Sequence, residues 1–251
     1  MSYLDGRAFR RNVAVLSFAG AACLLAAQAQ AGGGAFAVDD SEIGKPGECK
    51  VESWASFADN GDFIGAVAPA YVANLGRQVE LGVQVSRGRG DGEWGTGLTL
   101  KAKSNLIPLE GNPFGLGISA STSWDLLSGE NLGFAVNLPL TYEVSERVRI
   151  NLNAGWIYES GDELNWLTWG ASVEWNFVKP LTFIAEVFGQ SGDFPPVTLG
   201  EPPAPNSIRG PRAQAGLRYT PVDNIDIDLI YGRNVTGEDA NWVTLGLNVR
   251  Y

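Results

Sequence analysis

From 242 to 251 the sequence alternates strictly. Val243, Leu245, Leu247, Val249 and Tyr251 fall on one face of an extended strand, while Trp242, Thr244, Gly246, Asn248 and Arg250 fall on the other. Successive side chains of a strand point to opposite sides of the sheet, so one side of this strand is greasy along its whole length. About ten such residues is the length a tilted strand needs to cross a bilayer. The pattern demands a sheet with hydrocarbon or a core on one side and water or small polar groups on the other.

The same period recurs upstream. Leu132, Phe134, Val136, Leu138, Leu140 and Tyr142 alternate with Gly133, Ala135, Asn137, Pro139 and Thr141. Val148, Ile150, Leu152, Ala154 and Trp156 alternate with Arg149, Asn151, Asn153 and Gly155. Read this way, the chain is all-β and holds about twelve strands. They are expected at 48–58, 63–74, 77–87, 93–103, 113–124, 132–143, 147–158, 165–177, 181–190, 211–220, 224–233 and 241–251. The fold they imply is a transmembrane antiparallel β-barrel with both termini periplasmic. Loop lengths agree with short inner turns and longer outer loops, 191–210 being the longest. The 104–112 connection, from Ser104 to Asn112, is the one long inner turn.

A soluble sandwich or lipocalin-like barrel would turn the apolar side inward instead. The aromatic residues argue against it. With directions taken from loop lengths, Phe57, Trp94, Phe134, Trp156 and Tyr231 face outward near the outer rim. Tyr71, Phe114, Tyr142, Trp175 and Tyr219 face outward near the inner rim. Two aromatic belts around an aliphatic middle suit the two interfaces of a membrane.

Residues 1–31 read as a signal peptide. Arg7, Arg10 and Arg11 precede a run of about fifteen apolar or small residues, and Ala29-Gln30-Ala31 offers a small-x-small cleavage pattern. That run is shorter than the roughly twenty residues a membrane helix requires. Residues 32–47 are then expected to be a periplasmic extension, with the barrel spanning 48–251. After cleavage Cys49 stands alone, so no internal disulfide is expected. The chain has no histidine, which excludes a Ser-His-Asp triad, a Cys-His pair and a histidine-ligated zinc. No enzymatic role and no cofactor are implied. The net charge of −10 argues against nucleic acid as a partner. The acidic outer loops contain no calcium-loop spacing, and no metal site is expected.

Two resemblances rest on short stretches. Leu245-Gly246-Leu247-Asn248-Val249-Arg250-Tyr251 resembles the C-terminal assembly signal of bacterial outer-membrane β-barrel proteins, which implies recognition of the Tyr251 strand by the barrel-assembly machinery. Val38-Asp39-Asp40 followed by Gly47-Glu48-Cys49-Lys50-Val51-Glu52-Ser53-Trp54 is similar to the start of outer-membrane transporters associated with meta-pathway phenol degradation. That second resemblance implies uptake of small apolar or aromatic compounds.

The inward positions are the candidate functional residues. The polar ones are Lys50, Glu52, Glu80, Lys101, Lys103, Arg149, Glu174, Glu186, Arg212, Arg218, Asp226, Asp228 and Arg250. Paired charges that fill and stiffen the interior, and a selective polar pathway, both fit this set. The basic members fall on the fourth, seventh, tenth and twelfth strands, which suggests an anion track. Inward apolar positions expected near the outer mouth are Trp54, Ile64, Ile157, Trp166, Phe188, Ile230 and Trp242. They suit either a vestibule for hydrophobic solutes or a surface on which the 191–210 loop packs. The function expected is passive passage of small solutes across the outer membrane, with lipid, lipopolysaccharide and the solute as partners. A surface barrel acting in adhesion, partner binding or envelope integrity is the alternative.

Overall fold

In a computed structural model of the chain, residues 35–90, 92–161, 163–192, 211–236 and 239–251 are described. The expected signal peptide and nearly all of the 191–210 loop lie outside them. Twelve strands follow in order: β1 (Cys49–Ala58), β2 (Phe63–Asn74), β3 (Gln78–Gly90), β4 (Glu93–Ile107), β5 (Phe114–Asp125) and β6 (Asn131–Ser145), then β7 (Val148–Glu159), β8 (Leu164–Val178), β9 (Leu181–Ser191), β10 (Arg212–Val222), β11 (Ile225–Asn234) and β12 (Asn241–Arg250).

Each strand pairs antiparallel with its neighbours in sequence, and β1 pairs with β12 to close the cylinder. At the seam, Cys49 N donates to Tyr251 O at 2.8 Å and Tyr251 N donates back to Cys49 O at 2.9 Å. Closure matters energetically. Hydrocarbon offers no hydrogen-bond partner, so a spanning sheet cannot leave an edge unpaired. Among the described residues no helix is long and apolar enough to cross a membrane.

The side-chain period sorts the two faces as expected. Val67, Leu152, Leu229 and Leu245 point outward and are 46–54% exposed. Asn151, Asp228, Thr244 and Asn248 point inward and are buried. The outward aromatics near both rims are exposed, and three on one rim make ring contacts: Phe57 to Phe63 at 5.1 Å and Phe63 to Trp94 at 5.9 Å.

Two features differ from the sequence reading. β4 continues to Ile107, so the long inner turn expected at 104–112 shrinks to 108–113. The register steps from Asn105↔Gly117 to Ile107↔Leu116, which leaves Leu106 as a bulge. A bulge interrupts alternation without ending the strand, and so conceals its last turn of pairing. The second difference is larger. The described part of the expected periplasmic extension, residues 35–47, folds back into the barrel and runs through its lumen. The cause is chemical: the lumen supplies a partner for the charges, the apolar side chains and several backbone amides of this segment.

Candidate functional site

The segment is pinned first at the inner rim. Gly47 N donates to Val72 O at 2.8 Å, and Val72 N donates to Glu48 O at 3.0 Å. Gly47 has a φ of 90°, a conformation that favours glycine, and this turns the chain inward. Going back along the sequence, Ser41 N donates to Thr141 Oγ1 on β6 at 2.8 Å. Ser41 lies over Gly115 and Gly117 of β5. The backbone of Asp39 pairs with Asn153 of β7 in both directions. Its N–H donates to Oδ1 at 2.9 Å, and Nδ2 donates to its carbonyl at 2.6 Å.

Farther along, Glu186 of β9 accepts from Ala37 N at 2.9 Å and from Val38 N at 2.8 Å. Phe36 packs with Ile184 and Ile230, and the Arg218 guanidinium sits 5.2 Å from its ring centre. The path follows inward glycines. A Cβ at Gly170 would stand 2.8 Å from Val38 Cγ2, and one at Gly246 would stand 2.8 Å from Ala35 Cβ. These wall positions must be small for the segment to fit.

The charged candidates divide into two groups. One joins wall to wall. Lys50 meets Glu80 at 2.9 Å and Glu52 at 3.4 Å. Arg218 holds Asp228 by two bonds, at 2.8 and 3.1 Å, and Asn248 Nδ2 donates to the same carboxylate at 3.2 Å. Arg250 meets Asp226 at 2.7 Å. The other group joins wall to segment. Lys101 and Lys103 reach Asp39 at 3.0 and 2.8 Å, and Lys103 also reaches Asp40 at 3.2 Å. Arg149 pairs with Glu42.

Glu174 accepts from Asn151 Nδ2 at 2.6 Å. Arg212 stands at the outer end of β10, in register between Phe188 and Asn234. The anion track expected on β4, β7, β10 and β12 is therefore largely neutralised: Lys101, Lys103, Arg149, Arg218 and Arg250 all face carboxylates. Such pairs recover in Coulomb energy and hydrogen bonds much of what dehydration costs them.

Below the segment a cavity of about 400 Å³ remains. Glu52, Glu80, Glu174, Asp226 and Arg250 border it from the wall, and Asp40 and Glu42 border it from the segment. The interior is thus polar and only partly filled.

The apolar candidates do not form one vestibule. Ile157, Trp166, Phe188 and Ile230 are at most 5% exposed. Ile157 and Trp166 are opposite one another on β7 and β8. Ile230, expected near the mouth, is covered by Phe36 instead. Trp54 and Ile64 are half-buried, as is Trp242, whose indole N–H donates to Gln214 Oε1 at 3.1 Å. The sequence reading missed the segment's own residues, Phe36, Val38, Asp39, Ser41 and Glu42. It also missed the amide-rich wall of Asn137, Thr141, Asn151 and Asn153. The inward glycines at 115, 117, 170 and 246 were the available signal, since small residues in a row leave room for something else.

A family model described as "Uncharacterised conserved protein UCP029691" matches residues 20–251. No curated protein sequence matches the chain. Solved structures of similar fold include an outer membrane channel, COG4313, from Pseudomonas putida F1, with a TM-score of 0.60 and 14% identity over 84% of this chain and 98% of that one. The KdgM porin aligns with a TM-score of 0.59 and 12% identity over 80% and 98%, and one of its structures is described as a complex with disordered oligogalacturonate. The NanC porin aligns with a TM-score of 0.58 and 10% identity over 79% and 98%. At these identities the likeness establishes the fold, that of outer-membrane β-barrel porins and channels.

Proposed function

We propose that this chain, which belongs to the family described as "Uncharacterised conserved protein UCP029691", is an outer-membrane channel for passive passage of small solutes. One observation carries this reading. The wall's own inward side chains leave space for an extended polypeptide and for a further cavity of about 400 Å³. A lumen that accommodates an extended chain accommodates a small solute of similar cross-section once the segment yields. Small barrels of eight strands commonly fill their interiors with side chains, and this one does not. The KdgM porin, of similar fold, is described in complex with disordered oligogalacturonate, which supports the same reading.

Ile157 and Trp166, opposite one another on β7 and β8, and separately Trp242 on β12, offer apolar contacts to a solute with a hydrophobic or aromatic part at the outer end. Single-channel recording in planar bilayers tests the main reading. Discrete openings are expected, rare in the native chain and more frequent when the segment is loosened. A barrel that stays closed in every variant refutes passage and leaves the adhesion or envelope role. Replacing Trp166 and Trp242 by Ser tests the apolar surface, since unchanged permeation of aromatic solutes would remove it.

A further inference from the structure

The ion pairs of the lumen are not equivalent. Lys50, Arg218 and Arg250 take their carboxylates from the barrel wall, and those pairs persist whatever the segment does. Lys103 and Arg149 make their close ion pairs with Asp39, Asp40 and Glu42, which arrive on the segment, and Lys101 shares Asp39, while the wall carboxylates Glu80 and Glu174 stand opposite Lys103 and Arg149 in register. The Lys103 side chain is 4% exposed. A cation so deeply placed is costly without a counter-charge, so this face of β4 and β7 is built to hold carboxylates.

The same face carries neutral groups aimed along an extended ligand. Asn153 satisfies both the N–H and the C=O of Asp39, and Thr141 accepts from Ser41 N. Charge recognition and main-chain recognition therefore lie side by side. Together they read a chain with polar groups at regular spacing, not a lone ion.

We infer that Lys101, Lys103 and Arg149, with Asn153 and Thr141, form a binding site for short carboxylate-bearing oligomers, which the N-terminal segment occupies as an internal ligand. This rests on the channel reading only in that the solute arrives through the lumen. Solute and segment compete, so freeing the site raises its apparent affinity by the reciprocal of the fraction of time it stands free.

The test uses the full mature chain in detergent, fluorescein-labelled triglutamate as probe, and trilysine and triglycine as comparisons. One variant, Asp39→Asn/Asp40→Asn/Glu42→Gln, removes the segment's charges and leaves the wall intact. A second, Phe36→Ser/Val38→Ser, unseats the segment through its apolar anchors and leaves every charge in place. Both should bind triglutamate at least about tenfold more tightly than the native chain. Adding Lys103→Met to either should remove the gain. Should the first variant fail to fold, the second decides.

Binding of triglutamate no tighter than in the native chain, or binding of trilysine just as tight, overturns the site. Conductance of the same variants separates the two claims. Openings without triglutamate binding refute the site and leave the channel. Tight, Lys103-dependent binding without openings supports the site and refutes the channel.

Discussion

Glu186 is the wall residue on which the segment's backbone depends most directly. It is 5% exposed and accepts hydrogen bonds from Ala37 N at 2.9 Å and Val38 N at 2.8 Å. Glu186→Gln keeps the shape but not the chemistry. Both N–H groups donate to Oε2, so the amide oxygen still accepts from both, but as a neutral acceptor, while the amide nitrogen replaces Oε1, which also accepts from Ala37 N at 3.2 Å. Two charge-assisted bonds become neutral ones, and the longer third contact sets donor against donor. Each change is worth on the order of 1 kcal/mol, so docking weakens by about 2–3 kcal/mol. That shifts the ratio of docked to released segment roughly 30- to 150-fold, at tenfold per 1.4 kcal/mol.

Hydrogen exchange followed by mass spectrometry reads this directly. A peptide covering 36–43 should exchange faster by that factor in Glu186→Gln, while peptides from β6, β7 and β12 keep their protection. An unchanged rate in 36–43 would refute the account of what holds the segment. Uniform acceleration across the strands would refute it differently, by making Glu186 a support of the barrel itself.

Three further perturbations test other links. Gly170→Ala places a methyl 2.8 Å from Val38 Cγ2, an overlap worth about 1–3 kcal/mol, and should loosen 36–40 in the same exchange experiment with little change in the thermal midpoint of the barrel. Asp228→Asn removes the buried partner of Arg218. Because the Arg218 side chain is 26% exposed, the loss should fall to about 2–4 kcal/mol, seen as a lower unfolding temperature in detergent; an unchanged temperature would show the pair to be dispensable. Leu245→Arg puts a charge on the outward middle of β12 and should cost about 2–4 kcal/mol in folding into lipid vesicles, whereas no cost would mean that this face does not meet hydrocarbon.

The barrel was legible because period-two alternation is local. Each strand states its own faces, and Leu245 and Asn248 need no distant partner to be placed. Strand ends were less legible wherever alternation breaks without pairing ending, as at Leu106 in the β4 bulge. The lumen was harder still. Lys103 and Arg149 announce inward charge, yet nothing in their own strands says whether a wall carboxylate, water or another segment neutralises them. That depends on residues 35–47, whose short polar sequence has no periodicity and reads like any extension. Only its acidic pair, Asp39-Asp40, and the inward glycines hinted at an occupant, and they are separated from it in sequence by as many as about two hundred positions.

The clasp between Gly47 and Val72 fixes where motion can occur. Residues 35–46 lie beyond it and could swing roughly 40 Å when stretched, while staying leashed to the rim. A leashed ligand faces its own pocket at an effective concentration in the millimolar range. A visiting solute must therefore outbid a rival that never diffuses away. The leash makes vacancy brief and sets an abundance threshold below which the conduit stays shut.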